Sequence, residues 1–459
     1  MKKLLYLILF LYPAVINAQQ PFNPSSPVNK AWKNAGDVGF SEGEVDFTSL
    51  ATNPIDGSTY IVYADNANSR KATVMKYDGS EWVNVGMAGF STGEADYTCI
   101  AISNTGEIYV AFANIINNYQ PTVMKFNGTN WVNIGTPGFA TGLIYLKCLA
   151  LSSTSQPYLA FVDSSRSNKV SVMRFDGTNW NYVGSAGFSA GFAQYISLAL
   201  SSADQPYVSF MDAVHSSAAT VMKFDGTNWV TVGSPGFSSA YITYSSLALS
   251  PTDEPYLSYG DPGFGGRITV MKFNGNSWVS VTQQGFSSGE IGISSLAFSP
   301  QGTPYVAYND VLTSYGACVK KFNGTYWTYV GGWVFSEGAT NWESIAFSPS
   351  GIPYVAYSDG ANSYKATVMK FDSVYVGMNE HKDSWLSIYP NPALDRITID
   401  LPIWGLFHLE IVSPDGQTVL SCPITQSRTI IDVSNLSSGV YFVQLIGEEK
   451  TLVRKLIKR

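Results

Sequence analysis

The feature that most constrains this chain is a repeat. Tryptophan recurs at Trp32, Trp82, Trp131, Trp180, Trp229, Trp278 and Trp327, first after 50 residues and then after 49 each time. Other landmarks keep the same step. Val-Met-Lys-Phe stands at Val123–Phe126, Val221–Phe224, Val270–Phe273 and Val368–Phe371, with variants at Val74–Tyr77, Val172–Phe175 and Val319–Phe322. A Ser-Leu-Ala triplet or a relative of it begins at 49, 99, 148, 197, 246, 295 and 344. A period of this length means one supersecondary unit folded many times, with neighbours burying each other's faces.

One unit reads as four short strands. In the fourth copy these are Tyr195–Ser201, Pro206–Met211, Thr220–Phe224 and, after an Asp225-Gly226 turn, Trp229–Gly233. Asp-Gly and Asn-Gly favour hairpins because they tolerate positive φ. Both alternating faces are largely apolar, which fits sheets stacked around an axis. The expected fold is all-β: a seven-bladed β-propeller over 31–373. The first Trp precedes the first full set of strands, and the last set ends at Phe371 without one. The strand around Trp32 is therefore expected to close the ring as the outer strand of the last blade. No Trp-Asp dipeptide or Gly-Gly doublet recurs, so no propeller family is assigned.

Composition narrows the class. The chain is 45% hydrophobic and 13% charged, against roughly a quarter charged in an average globular chain. That excludes a disordered chain. The net charge is −7 and no basic stripe is visible, so no nucleic-acid partner is expected. Three His leave little room for a His-rich metal centre, and four Cys are too few for a disulfide framework. Residues 1–18 read as a signal peptide: Lys2 and Lys3, an apolar stretch, then Asn17-Ala18 before Gln19. A lead at 19–30 follows. No other apolar run of spanning length appears, so no transmembrane segment is expected in the mature chain.

After a linker at 374–384, residues 385–459 change pattern. They carry Tyr389-Pro390-Asn391-Pro392, Asp415-Gly416, Leu436-Ser437-Ser438-Gly439-Val440-Tyr441 and a terminal Lys455-Leu456-Ile457-Lys458-Arg459. Short alternating strands between Gly and Asp turns point to a small Ig-like β-sandwich. The segment resembles the type A C-terminal sorting domain of the type IX secretion system of Bacteroidetes. The resemblance covers about a sixth of the chain. It implies export to the periplasm, passage across the outer membrane by the type IX machinery, and a secreted or surface-attached product. By the same resemblance Pro390, Asn391, Pro392, Gly416, Gly439, Tyr441, Lys455, Lys458 and Arg459 carry the sorting signal.

Antiparallel order puts the second-to-third loops and the blade connectors at one end, and the Asp-Gly turns at the other. The turns are monotonous, whereas the loops vary: Asn114–Tyr119, Asp163–Arg166, Asp212–His215 and Asp261–Arg267. Function collects on variable loops held by a rigid scaffold, so this is the candidate binding face. Its candidate ligand contacts are Tyr119, Asp163, Arg166, Asp212, Tyr241, Asp261, Phe264, Tyr315 and Tyr364, with Tyr145 and Tyr195 nearby. An Asp ends the second strand in six copies (Asp65, Asp163, Asp212, Asp261, Asp310, Asp359), with Asn114 in the other. A carboxylate ring could recruit Ca²⁺. The ordinary role of Asp there is to cap its own turn, and no cofactor or metal is expected. The Trp residues share one context and read as packing.

Enzymes on propellers need residues that break the repeat. The charged breaks are Lys147, Arg166, His215, Glu254, Arg267 and Glu343. No phosphate loop, metal motif or nucleophile elbow accompanies them, so no catalytic residue is assigned. The sequence reading is a secreted or cell-surface, non-catalytic binding protein for a glycan or a protein. A polysaccharide-active hydrolase or lyase and a structural scaffold of a surface complex are the alternatives.

Overall fold

The computed structural model describes residues 30–143, 148–373, 387–400, 407–413, 418–424, 426–446 and 451–459. The signal segment, the linker, the Asp415-Gly416 turn, Tyr145 and Lys147 lie outside them. Residues Lys30–Asp372 form one compact unit, a propeller of seven four-stranded blades.

Each blade follows the order of the repeat. In the fourth, Ala193–Leu200, Pro206–Asp212, Ala218–Phe224 and Trp229–Thr231 pair antiparallel in sequence order. Every residue of Pro206–Asp212 is buried, because adjacent blades cover both faces of this strand. The Asp225-Gly226 hairpin works because Gly226 sits at φ 103, a region closed to most side chains. The first strands of neighbouring blades pack on one another right around the ring and line its axis. In the third blade this strand is described in two pieces, Gly142–Leu143 and Leu149–Leu151.

The blades are joined by the residues that repeat. The Trp131 indole stacks on Phe90 of the preceding connector at 4.4 Å, and its Nε1 donates to the Val85 carbonyl at 2.8 Å. The same pair of contacts recurs at Trp82, Trp180, Trp229 and Trp278. Buried Trp needs such a partner for its N–H. A second tie lies nearer the axis. Ser49, Ser197, Ser246, Ser295 and Ser344 each accept the amide of Ile100, Leu247, Leu296, Ile345 and Leu50 on a neighbouring blade. Cys99 and Cys148 hold this position in blades 2 and 3 and are buried. In six blades the recurring Lys or Arg of the third strand lies over the Tyr directly across from it, as with Lys125 over Tyr109 at 5.3 Å.

Lys30–Asn34 is the outer strand of the seventh blade, hydrogen-bonded to Lys365–Ser373. The ring therefore closes between the two ends of the repeat array, as the phase of the tryptophans requires.

The C-terminal domain is a separate β-unit of two sheets. One orders Ser387–Tyr389, Arg396–Asp400 and Arg428–Asp432; the other orders Thr418–Ile424, Phe407–Val412, Gly439–Ile446 and Thr451–Lys458. Ile397, Ile399 and Ile431 from the first meet Leu409, Val443, Leu445 and Leu456 from the second in one core. Facing inner sides are what a β-sandwich buries.

Candidate functional site

The first strand of each blade is not regular. The pairing slips by one residue between Asp46 and Ser49, Asp96 and Cys99, Gln194 and Ser197, Thr243 and Ser246, Ile291 and Ser294, and Asn341 and Ser344. A bulge of this kind re-aims a side chain. Here it carries large aromatics in the left-handed region: Phe47 at φ 54, Tyr97 at 56, Tyr195 at 50, Tyr244 at 46 and Trp342 at 63. Such a conformation costs a non-glycine residue on the order of 1–3 kcal/mol and gathers at functional sites. Blade 6 has Ile293 in the same place.

The bulges converge on the axis. Phe47 lies 4.7 Å from Tyr97 and 4.4 Å from Trp342, and Tyr195 lies 5.3 Å from Tyr244, ring to ring. Tyr97, Tyr195, Tyr244, Trp342, Gln194, Ile293 and Glu343 line a pocket of about 370 Å³, together with Ser49, Ser294 and Ser344. Half-burial pushes the Tyr97 and Tyr195 phenols up, and the neighbouring tyrosines add to it. The bulges lie near the strand ends from which the connectors and second-to-third loops emerge.

In blades 1, 2, 5 and 6 the residue after the bulge carries a hydroxyl that ties the wall together, whereas blade 4 has Ile196 there. Thr98 Oγ1 donates to the Phe47 carbonyl at 2.5 Å, Ser245 Oγ to Tyr195 at 2.5 Å and Ser294 Oγ to Tyr244 at 3.3 Å. Thr48 Oγ1 donates to the Trp342 carbonyl in the same way. In blade 7 this position is Glu343. Its Oε1 accepts from Thr340 Oγ1 at 2.5 Å, while its buried Oε2 has no hydrogen-bond partner among the described residues. Burial pushes this carboxyl up to about 7.

The rim holds part of what the sequence singled out. Tyr119, Tyr315 and Tyr364 occupy one repeat position, at φ 60, 62 and 56, and are exposed. The Tyr315 and Tyr364 carbonyls accept the amides of Thr340 and Val45 at the start of the next blade's first strand. Blade 1 has Arg70 there, and its guanidinium bridges Asp46 at 2.7 Å and Asp96 at 2.8 Å. Arg166 and Phe264 are exposed on their loops, and Tyr241 on the connector before the fifth blade.

The aspartates are placed differently. Asp163, Asp212 and Asp261 are buried, and each caps a one-turn 3-10 helix by accepting the amide two residues on. The second oxygen accepts from Ser171, Thr220 and Thr269 respectively. These carboxylates are committed inside their own blades, which is why the repeat keeps them. Sequence reasoning missed Tyr97, Tyr244 and Trp342. The signal was present: a large residue two before the Ser of nearly every Ser-Leu-Ala triplet.

In the C-terminal domain, Asn391 Nδ2 donates to the Lys455 carbonyl at 2.7 Å, and its Oδ1 accepts the Ile457 amide at 2.9 Å. Ala393, just past Pro392, bridges to Lys458. Tyr441 donates to the Ser437 carbonyl at 2.9 Å, and Gly439 pairs with Lys458. The motif residues Pro390–Pro392 thus clasp the last strand, with Lys455 and Arg459 exposed.

Residues 387–459 match the family model described as the secretion system C-terminal sorting domain. This segment is a type IX sorting domain, and the protein is secreted or held at the outer surface. Among the described residues no helix is long and apolar enough to cross a membrane. No curated protein matches the chain. Among solved structures, it is similar to a protein of unknown function from Dyadobacter fermentans (10% identity, 74% of this chain and 99% of that one, TM-score 0.44). It is also similar to a polysaccharide lyase of family PL25, an ulvan lyase (13%, 73% and 95%, 0.47). A third is the Aleuria aurantia lectin, solved with Fucα1-6GlcNAc (14%, 62% and 96%, 0.43).

Proposed function

We propose that the propeller is a non-catalytic glycan-binding module whose site is the axial pocket, carried outside the cell by its sorting domain after cleavage of the signal peptide near Ala18. The observation that carries this reading is the set of strained aromatic bulges meeting at one axis. Aromatic rings offer flat apolar faces to the C–H face of a sugar, and Gln194 with the serine hydroxyls can meet its hydroxyls. A volume of about 370 Å³ falls at the small end of ligand pockets, suited to one or two sugar residues. Tyr119, Tyr315 and Tyr364 serve as outer contacts, with Tyr241, Phe264 and Arg166 further out.

The test is a glycan array probed with the purified chain, followed by the same array with Tyr244→Ala and with Phe264→Ala. Saturable binding that Tyr244→Ala abolishes supports the axial site. Binding lost in Phe264→Ala and kept in Tyr244→Ala moves the site to the loops. An array without binding would leave a protein ligand or a scaffold role.

A further inference from the structure

We propose that below neutral pH Glu343 is held as the neutral acid and donates its proton to the carbonyl of Ile293, so that the described lining of the axial pocket carries no charge to pair with a uronate and takes a neutral sugar over a uronic one. The selectivity rests on the glycan reading above; the protonation does not.

The argument comes from the repeat. In blades 1, 2, 5 and 6 the side chain at this position is a hydroxyl that donates to the bulge carbonyl of the preceding blade. Applied to blade 7, the same relation sets the carboxyl of Glu343 before the Ile293 carbonyl. An ionised carboxylate has nothing to donate to that carbonyl. A protonated one supplies the missing bond. The buried Oε2, without a partner, is the atom this requires. Burial also favours the neutral form.

The Thr340 hydroxyl and the Glu343 amide favour the ionised form, but burial outweighs them, and the titratable neighbours add no positive charge to hold it. Cys318 on the third strand of blade 6 and Tyr357 on the second strand of blade 7 both feel Glu343, and burial pushes both up, so they stay neutral. Lys320 turns its ammonium to the Phe286 carbonyl at 2.9 Å and the Tyr329 ring at 4.2 Å. Asp310 accepts the Ser288, Gly289 and Leu312 amides. Among the described residues no cation pairs with Glu343. Glu343 is also the one carboxyl among the described lining residues.

The experiment has two arms. In the first, the full chain is labelled with ¹³C at the glutamate carboxyl and titrated, the Glu343 signal being assigned by its loss in Glu343→Gln. A midpoint near neutrality is expected, with the Tm of the wild type falling relative to Glu343→Gln and Glu343→Thr as pH rises from about 4.5 to 7.5. Glu343→Thr restores the hydroxyl of blades 1 and 2. A midpoint near the usual carboxylate value, or parallel melting profiles, overturns the protonation. In the second, glucose and glucuronic acid glycans, and galactose and galacturonic acid glycans, are compared at pH 6. The neutral member should bind at least tenfold tighter; equal or reversed preference overturns the selectivity. Binding of neither overturns the glycan reading, and the carboxyl titration still decides the protonation.

Discussion

The indole Nε1 of Trp32 donates to the carbonyl of Val330 at 2.6 Å, joining residues 298 apart in sequence. The same indole stacks on Phe335 at 4.2 Å, 16° from parallel. This is the repeated Trp junction, but here it joins the two ends of the array. Loss of the strand at Lys30–Asn34 would leave an unpaired edge on Lys365–Ser373. Trp32→Ala should destabilise the propeller by about 3 kcal/mol, in the range of large aromatic truncations. Denaturant unfolding measures it, and a loss under about 1 kcal/mol would mean that the closure is not cooperative with the ring.

Gly331 tests the same junction from the other side. It sits at φ +79, and a Cβ there would lie 2.6 Å from Phe371 Cε2 and 2.8 Å from Trp32 Cδ1. Gly331→Ala should cost about 1–3 kcal/mol through this overlap and the positive φ. Gly226→Ala has open space around its Cβ and should lose only the conformational part, about 1 kcal/mol. The difference between the two, by thermal melting, isolates packing at the closure.

The turn-capping aspartates have an internal control. Asn114 already does this work in blade 2, its Oδ1 accepting from Ile116 N at 3.2 Å. Asp261→Asn keeps an acceptor for Gly263 N, while Asp261→Ala removes it. The alanine variant should lose about 1–2 kcal/mol and the asparagine variant less than half of that. Unfolding with and without chelator should give the same values, since the carboxylate serves a backbone amide and Thr269. A chelator-dependent loss would restore the idea of a cation on this face.

Much of the fold was legible because the repeat supplies its own alignment. The strand expected at Pro206–Met211 is Pro206–Asp212, and the closing role of Trp32 followed from phase alone. The axial site was less legible for a physical reason. Alternation assumes a regular pleat, so Tyr195 read as one more strand residue or loop neighbour. A φ of 50 turns it toward residues that are neighbours only after the ring has closed. Glu343 stood out as a break in the repeat, but its burial depends on Thr340 and on the preceding blade. The loop aromatics Tyr119, Tyr315 and Tyr364 were found as variable and exposed, which one copy compared with another can reveal.

The sorting domain carries an acid-sensitive contact. Arg428 grips Asp400 at 2.7 and 2.9 Å, and Tyr389 donates to the same carboxylate at 2.6 Å. These bonds hold the Asp400 carboxyl down at about 2. An acid lowered in the folded state contributes stability above its unfolded value, lost as pH falls through the folded one. Arg428→Ala should therefore flatten the acid limb of the sorting-domain transition between about pH 4 and 2 and leave neutral pH little changed. Parallel acid limbs in wild type and variant would show that the exposed pair adds nothing.

The strain in the axial bulges yields a prediction in which stability and binding part company. Tyr244 is 42% exposed, and its backbone sits at φ 46. A left-handed L-residue costs roughly 1–2 kcal/mol relative to its ordinary conformation, and glycine is free of that cost. Tyr244→Gly should accordingly melt at or above the wild-type temperature, and Tyr244→Ala below Tyr244→Gly by about 1 kcal/mol. Both variants should bind the sugar found on the array about tenfold more weakly, an effect of about 1.4 kcal/mol from the lost ring. If glycine were the less stable of the two, the left-handed geometry would not be a strain stored for function. If it bound as tightly as wild type, the ring would not touch the ligand, and the pocket would lose its best-placed stacking surface.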